Sequence, residues 1–272
     1  MSALPSPLEL ARLIEGANVE ALMGHAPTLR RLFPVTDPGT LSVGGGVASF
    51  VGARAVSYAV GLGLDRKVEP DDIARVVDFY RSRGAVPRVD VCPLADDSLL
   101  SALRAHNFHL HGFINVLVRP LTAQEVIEPI PPHIVVREAR PDEADLWTEV
   151  ADECFSDGSP ITEEGRQLGL MLFHGATAIS YLVEVDGQIA AEGAMFTHGS
   201  YAALTSAGVR APFRRRGIHS ALIRARLKKA QELGCTVAAL YALPGNDQSN
   251  RNALRLGFQV AYTKVIMKAD KE

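Results

Sequence analysis

Three prolines fall within the four residues Pro129-Ile130-Pro131-Pro132. Proline has no amide hydrogen and holds φ near −65°, so neither a helix interior nor a central strand runs through such a stretch. The segment 128–132 therefore reads as an extended linker. It divides the 272-residue chain into parts 1–127 and 133–272, each of ordinary domain size. With 47% hydrophobic and 22% charged residues, both parts are expected to be globular and soluble. No uninterrupted apolar run reaches the ~18 residues of a membrane span, and the N-terminus lacks the layout of a secretory signal. Cys92, Cys154 and Cys235 are odd in number and scattered, which suits neither a disulfide framework nor a zinc ligand set. A cytoplasmic setting and no metal are the expectations. A formal charge of −3 argues against a broad footprint for nucleic acid or an anionic membrane.

The second part alternates element types. Ile134–Arg137 reads as a strand and Pro141–Phe155 as a helix, with Pro141, Asp142 and Glu143 suiting its first turn. A second helix is expected over Thr162–Phe173. Ala178–Val185 and Ile189–Phe196 are apolar runs joined by Asp186-Gly187, a dipeptide that accepts the positive φ values of a tight hairpin. A strand Tyr201–Val209, a helix 217–233, a strand Val237–Leu243, a helix Gln248–Leu256 and strands around Phe258–Met267 complete an α/β reading with a mixed sheet.

The first part is expected to hold helices within 7–32, strands at 47–51 and 55–62, a helix 70–83, a strand 88–92, a helix 97–106 and a strand 108–118. Ala102-Leu103-Arg104 before Asn107-Phe108 echoes Ala253-Leu254-Arg255 before Gly257-Phe258. Both an internal duplication and the ordinary recurrence of helix–turn–strand units account for that echo.

The stretch from Val209 to Leu222 carries the chemistry. It leaves a strand, passes Arg214-Arg215-Arg216-Gly217 and opens a helix. The first amides of a helix have no intrahelical acceptor, and the helix dipole favours an anion above them. A glycine and three arginines beside that point suit a pyrophosphate. Arg214-x-x-Gly217-x-His219 resembles the R/Q-x-x-G-x-G/A motif of the GNAT acyl-CoA-dependent N-acetyltransferase superfamily. Asn246, Ser249 and Gly257-Phe258 stand at the spacing of that family's downstream segment, and the element order of 133–272 is similar.

The resemblance implies a GNAT fold in the second part and a degenerate GNAT-like domain, without the cofactor motif, in the first. It implies acetyl-CoA as co-substrate and transfer of its acetyl group to the primary amine of a small-molecule or peptide acceptor, by direct attack on the thioester. Arg214, Arg215, Arg216, Gly217, Ile218, His219 and Ser220 would hold the pyrophosphate. Ala207 and Val209 would pair with the pantetheine arm along one side, and Asn246 and Ser249 would hold it from the other. A splay between the fourth and fifth strands would admit the thioester, and an amide near Val209 would stabilise the oxyanion.

Three residues depart from the pattern. His219 replaces a small residue, Pro212 sits one position late, and Ala253 stands where the family often has a tyrosine that protonates the leaving thiolate. Tyr241 or water would serve as that acid. Glu192, in an otherwise small and apolar strand, is the candidate base, because burial would raise its pKa; the plainer reading is a solvent-facing or arginine-paired carboxylate. The lost tyrosine also suits a different class of function, a non-catalytic acyl-CoA-binding sensor or scaffold. A homodimer is open as an assembly of the chain.

Other groupings carry less. Arg224, Arg226, Lys228 and Lys229 are expected on a solvated helix face. His106, His109 and His111 are expected to diverge rather than to bind metal. Gly44-Gly45-Gly46 precedes a strand, so a turn is expected there and not a phosphate loop.

Overall fold

The computed structural model describes residues 5–34, 36–52, 56–156 and 160–270. Chain contacts group into two compact units, Pro5–Val116 with Ala261–Glu272, and Leu117–Val260.

The first unit contains α1 (Pro7–Leu32), β1 (Gly39–Val43), β2 (Gly46–Phe50), β3 (Ala59–Val60), α2 (Pro70–Arg81), β4 (Arg88–Val91), α3 (Asp97–Ala105) and the start of β5 (Phe108–Pro120). Ser6 and Glu9 form a reciprocal capping box that starts α1. Gly44 and Gly45, at φ 59° and 84°, make the tight turn between β1 and β2; strand β1 is an element the sequence reading missed. Of the expected strand 55–62, residue 55 lies outside the described residues, and only Ala59 and Val60 are in β3. Ile73, Val76 and Tyr80 of α2 pack with Leu99 and Leu103 of α3 and Val89 of β4.

The second unit runs through β6 (Ile134–Glu138), α4 (Ala144–Phe155), α5 (Glu163–Phe173), β7 (Ala178–Val185), β8 (Gln188–His198), β9 (Tyr201–Val209), α6 (Ile218–Glu232), β10 (Val237–Ala242), α7 (Asp247–Arg255) and the start of β11 (Gln259–Ala269). This order agrees with the alternation read from the sequence. Asp186 and Gly187 take φ 53° and 74° in the β7–β8 hairpin. The sheet order is β10-β9-β8-β7-β6; β9 pairs parallel with β10 and antiparallel with β8. Successive residues of β8 fix a helix on each face. A Cβ on Gly193 would lie 2.6 Å from Leu222 of α6, while Ala194 packs with Trp147 of α4.

The division differs from the one expected at 128–132. The compact units part at Val116/Leu117, and the last strand leaves the second unit after Val260. The physical reason is strand pairing. Val265–Lys268 of β11 lie antiparallel against Arg88–Val91 of β4, and Ala269 joins the core of the first unit. Leu117 and Leu121, both closed to solvent, belong instead to the core of the second.

A buried ionic cluster ties β11 into the first unit. Lys264 Nζ donates to Glu15 Oε2 at 2.7 Å, and Tyr262 Oη donates to Glu15 Oε1 at 2.6 Å. Glu15 and Lys264 are both buried.

Candidate functional site

The turn between β9 and α6 has the geometry of an anion seat. Arg214 is extended at φ −62°, while Arg215 at φ 64° and Gly217 at φ 82° are left-handed, and so turn the chain sharply into the start of α6. Gly217 is the N-cap of α6. The first helical amide bond runs from Ala221 to the Gly217 carbonyl at 3.0 Å, so the amides of Ile218, His219 and Ser220 have no acceptor within the helix. A Cβ on Gly217 would meet nothing within 4 Å; glycine is needed there for its φ rather than for space. Arg214, Arg215 and Arg216 are exposed. Arg214 Nε donates to the Val209 carbonyl at 3.1 Å, and Arg216 pairs with Asp186 at 3.0 Å.

Beside this turn, β9 and β10 come apart. Their pairing runs from Tyr201↔Val237 to Leu204↔Leu240 and stops, while β9 stays paired with β8 as far as Val209. Ala207 and Val209 lie on the stretch that β10 leaves. Ser206 is an extra residue within it. The β8–β9 register moves from Ala194↔Thr205 to Gly193↔Ala207, and Ser206 sits at φ 38°, which is a β-bulge.

Arg226 holds that bulge. It is 1% exposed, and its Nη1 donates to the carbonyls of Ala194 (2.8 Å), Thr205 (2.9 Å) and Ser206 (3.1 Å). The expectation of a solvated Arg226 is corrected. Leu222, Arg226 and Ala230 share one i, i+4 row that faces the core, and this spacing was the available signal. Its neighbours do reach the surface, where Arg224 pairs with Glu128 and Lys229 with Glu138.

Glu192 is 0% exposed, so it does not face solvent. Its carboxylate accepts from Ser206 Oγ at 2.8 and 3.0 Å and from the Gly208 amide at 2.7 Å. Burial pushes its pKa up to about 7 against the pull of Ser206, Gly208 and Arg226. Burial likewise draws Arg226 down to about 10. Cys154, near the end of α4, covers the same spot. A Cβ on Gly208 would lie 2.5 Å from Cys154 Cβ and 2.8 Å from Glu192 Oε1, so only glycine fits there. The Cys154 thiol is pushed up to about 12, first by burial and then by Glu192.

The remaining candidates sort by their partners. Asn246 Oδ1 accepts the Ser249 amide at 3.2 Å and caps α7. His219 turns to α7, where the Asn252 amide donates to its Nδ1 at 3.1 Å, and burial lowers its pKa to about 4. It is a neutral ring bound to α7. Ala253 is wholly buried in the core. Tyr241 Oη lies 2.8 Å from Tyr201 Oη. Glu163 and Glu164 occupy the first turn of α5. His109 meets Asp270 and His111 meets Lys268. Among the described residues no group of three His, Cys, Asp or Glu could hold a metal ion, and no helix is long and apolar enough to cross a membrane.

The first unit has no such seat at the corresponding helix. At the start of α2, the Asp72 carboxylate accepts the Glu69 amide at 3.0 Å and both arms of Arg66 at 2.9 Å. Arg66 foremost holds its pKa below the usual carboxylate range. With Glu69 and Asp71 beside it, the turn presents negative charge where a phosphate needs positive.

The profile of the acetyltransferase (GNAT) family matches residues 144–258. No curated protein matches the chain by sequence. Solved structures similar to it include a GCN5-related N-acetyltransferase from Kribbella flavida (17% identity, TM-score 0.70, covering 97% of this chain and 96% of that one). A GCN5-related N-acetyltransferase from Sphaerobacter thermophilus gives 18% identity and TM-score 0.59, over 98% and 96%. A tandem GNAT protein from the clavulanic acid biosynthesis pathway gives 15% identity and TM-score 0.62, over 97% and 94%. At these identities the likeness concerns the fold, and it extends over both halves.

Proposed function

Residues 144–258 form a domain of the acetyltransferase (GNAT) family, and from that premise we propose that the chain transfers an acetyl group from acetyl-CoA to a primary amine. The observation that carries this reading is the end of β9–β10 pairing at Leu204/Leu240 beside the left-handed turn at Arg215 and Gly217. A thioester arm enters where two strands part, and its pyrophosphate is held where helix amides lack acceptors.

In this reading Arg214–Ser220 bind the pyrophosphate. Ala207 and Val209 pair with the pantetheine arm, and Asn246 and Ser249 support it from α7. The amide near Val209 faces the developing oxyanion. Glu192 is the base that frees the amine, with a pKa near the range in which such a group works at neutral pH. Tyr241 protonates the leaving thiolate in place of a residue at Ala253. CoA is a tolerable leaving group without full help, since an ordinary thiol has a pKa of ~8.5. The acceptor is a small or peptidic amine, and the compartment is the cytoplasm. The first unit is a degenerate copy of the same fold, because its α2 start is occupied by Asp72.

A second reading, a non-catalytic acyl-CoA binder, is favoured by Ala253, which removes the family's usual acid. Calorimetry with acetyl-CoA on the wild type and Gly217→Trp, followed by thiol release with an amine panel, separates the two. Binding abolished by the substitution together with amine-dependent release supports transfer. Binding without release supports the sensor. No binding overturns both.

A further inference from the structure

Glu192 is closed to solvent on every side, so no acceptor amine touches its carboxylate. Two groups bond it, the Gly208 amide and the Ser206 hydroxyl. Of these, only the hydroxyl can accept one proton while giving up another. Ser206 is partly exposed and lies past the last β9–β10 pair, on the stretch that borders the opening. Its φ of 38° is costly for any residue with a Cβ. Glycine would take that conformation freely, so the backbone alone gives no reason for a serine.

We propose that Ser206 carries the acceptor's proton to Glu192. This rests on the acetyltransferase reading and adds a catalytic residue to it. An N–H bond of the acceptor ammonium breaks and its proton passes to Ser206 Oγ, while the Ser206 O–H proton passes to Glu192 Oε2. The amine is left neutral with a free lone pair, the serine is unchanged, and the carboxylate becomes a carboxylic acid. As the C–N bond forms and the C–S bond breaks, the second nitrogen proton balances the departing thiolate as CoA thiol. Glu192 then returns its proton to solvent by the same hydroxyl. The charged and titratable groups around the pair are Arg226 from α6 and Cys154 from α4, with Glu153, Arg210 and Arg214 acting on Cys154. Arg226 fixes the Ser206 carbonyl and thereby the bulge that aims the hydroxyl.

The test is Ser206→Gly beside Ser206→Ala. Glycine suits the bulge and removes the hydroxyl; alanine removes it with the backbone strain retained. Acetyl-CoA affinity is read by calorimetry and kcat by thiol release across pH 5.5–9.5 with amines the wild type accepts. We expect affinity within twofold of wild type and kcat at pH 7 lower on the order of 100-fold. The wild-type profile levels off once Glu192 is ionised. In both variants kcat continues to climb to the alkaline end, since the amine must then arrive unprotonated. Unchanged kcat and profile in the variants overturn the relay alone. Loss of acetyl-CoA affinity in parallel with kcat overturns it in favour of a structural role. A wild type that binds acetyl-CoA yet releases no thiol with any amine overturns the transferase reading and the relay with it.

Discussion

Arg226 and Glu192, both closed to solvent, meet through one residue: the guanidinium donates to the Ser206 carbonyl at 3.1 Å, and the Ser206 hydroxyl donates to the carboxylate at 2.8 Å. A buried cation and a buried carboxyl thus share the bulge at which β9 leaves β10. The arginine serves backbone carbonyls rather than the carboxylate itself, which leaves Glu192 free to change protonation state.

The first consequence is a pH-dependent stability. The Glu192 pKa is raised to about 7 in the folded chain, so the proton is bound more tightly folded than unfolded. Its contribution is complete below the unfolded pKa and is lost as pH rises through about 7. Glu192→Gln, which cannot ionise, should therefore gain on the wild type between pH 5 and pH 8.5, by on the order of 3 kcal/mol. Urea unfolding at the two pH values measures the difference; a gain that shrinks with pH contradicts the burial argument.

Arg226→Met should be costly. It strips the carbonyls of Ala194, Thr205 and Ser206 of a donor, and a buried acceptor left unsatisfied costs about 1–3 kcal/mol. Thermal unfolding should show a large fall, and acetyl-CoA binding should weaken with it as the bulge relaxes. Arg224→Met, on the surface side of the same helix, should shift stability by less than about 1 kcal/mol.

Gly217→Val places a β-branched residue at φ 82°. The added atoms have room, so the cost is conformational, on the order of 1–3 kcal/mol. Relief of that strain would move the free amides at the start of α6. Calorimetry should show acetyl-CoA affinity falling at least tenfold with the chain still folded.

The ion pair in the first unit gives an asymmetric prediction. Lys264→Met leaves the Glu15 carboxylate buried and without its cation, at a cost of about 3–5 kcal/mol. Combining it with Glu15→Gln removes the orphaned charge and should recover much of that loss. Additive costs in the double variant, measured by urea unfolding, would contradict the pairing.

Cutting the chain within 128–132 should yield two poor fragments. The fragment 1–127 lacks the strand that pairs with β4, and 133–272 lacks Leu117 and Leu121 of its core. Each alone should give collapsed amide dispersion in NMR, and co-expression should restore the dispersed spectrum.

What the sequence determined by itself was local. The helix and strand order of 133–272, the Asp186-Gly187 hairpin, the Gly44-Gly45-Gly46 turn and the Arg214–Ser220 turn follow from φ preferences, capping and periodicity, which act over a few neighbours. Glu192 stood out as a carboxylate among small apolar residues, whereas Arg226, expected on a solvated face, is buried in the tertiary structure. The tertiary structure decided the rest. A one-residue shift in the β8–β9 register makes Ser206 a bulge, and no residue of β9 encodes that shift alone. The pairing of β11 with β4 joins residues more than 170 positions apart; it depends on complementary edges and on the Glu15–Lys264 contact, which no proline-rich boundary reveals. Strand pairing and burial are properties of partners distant in the chain, so they appear only when both partners are in place.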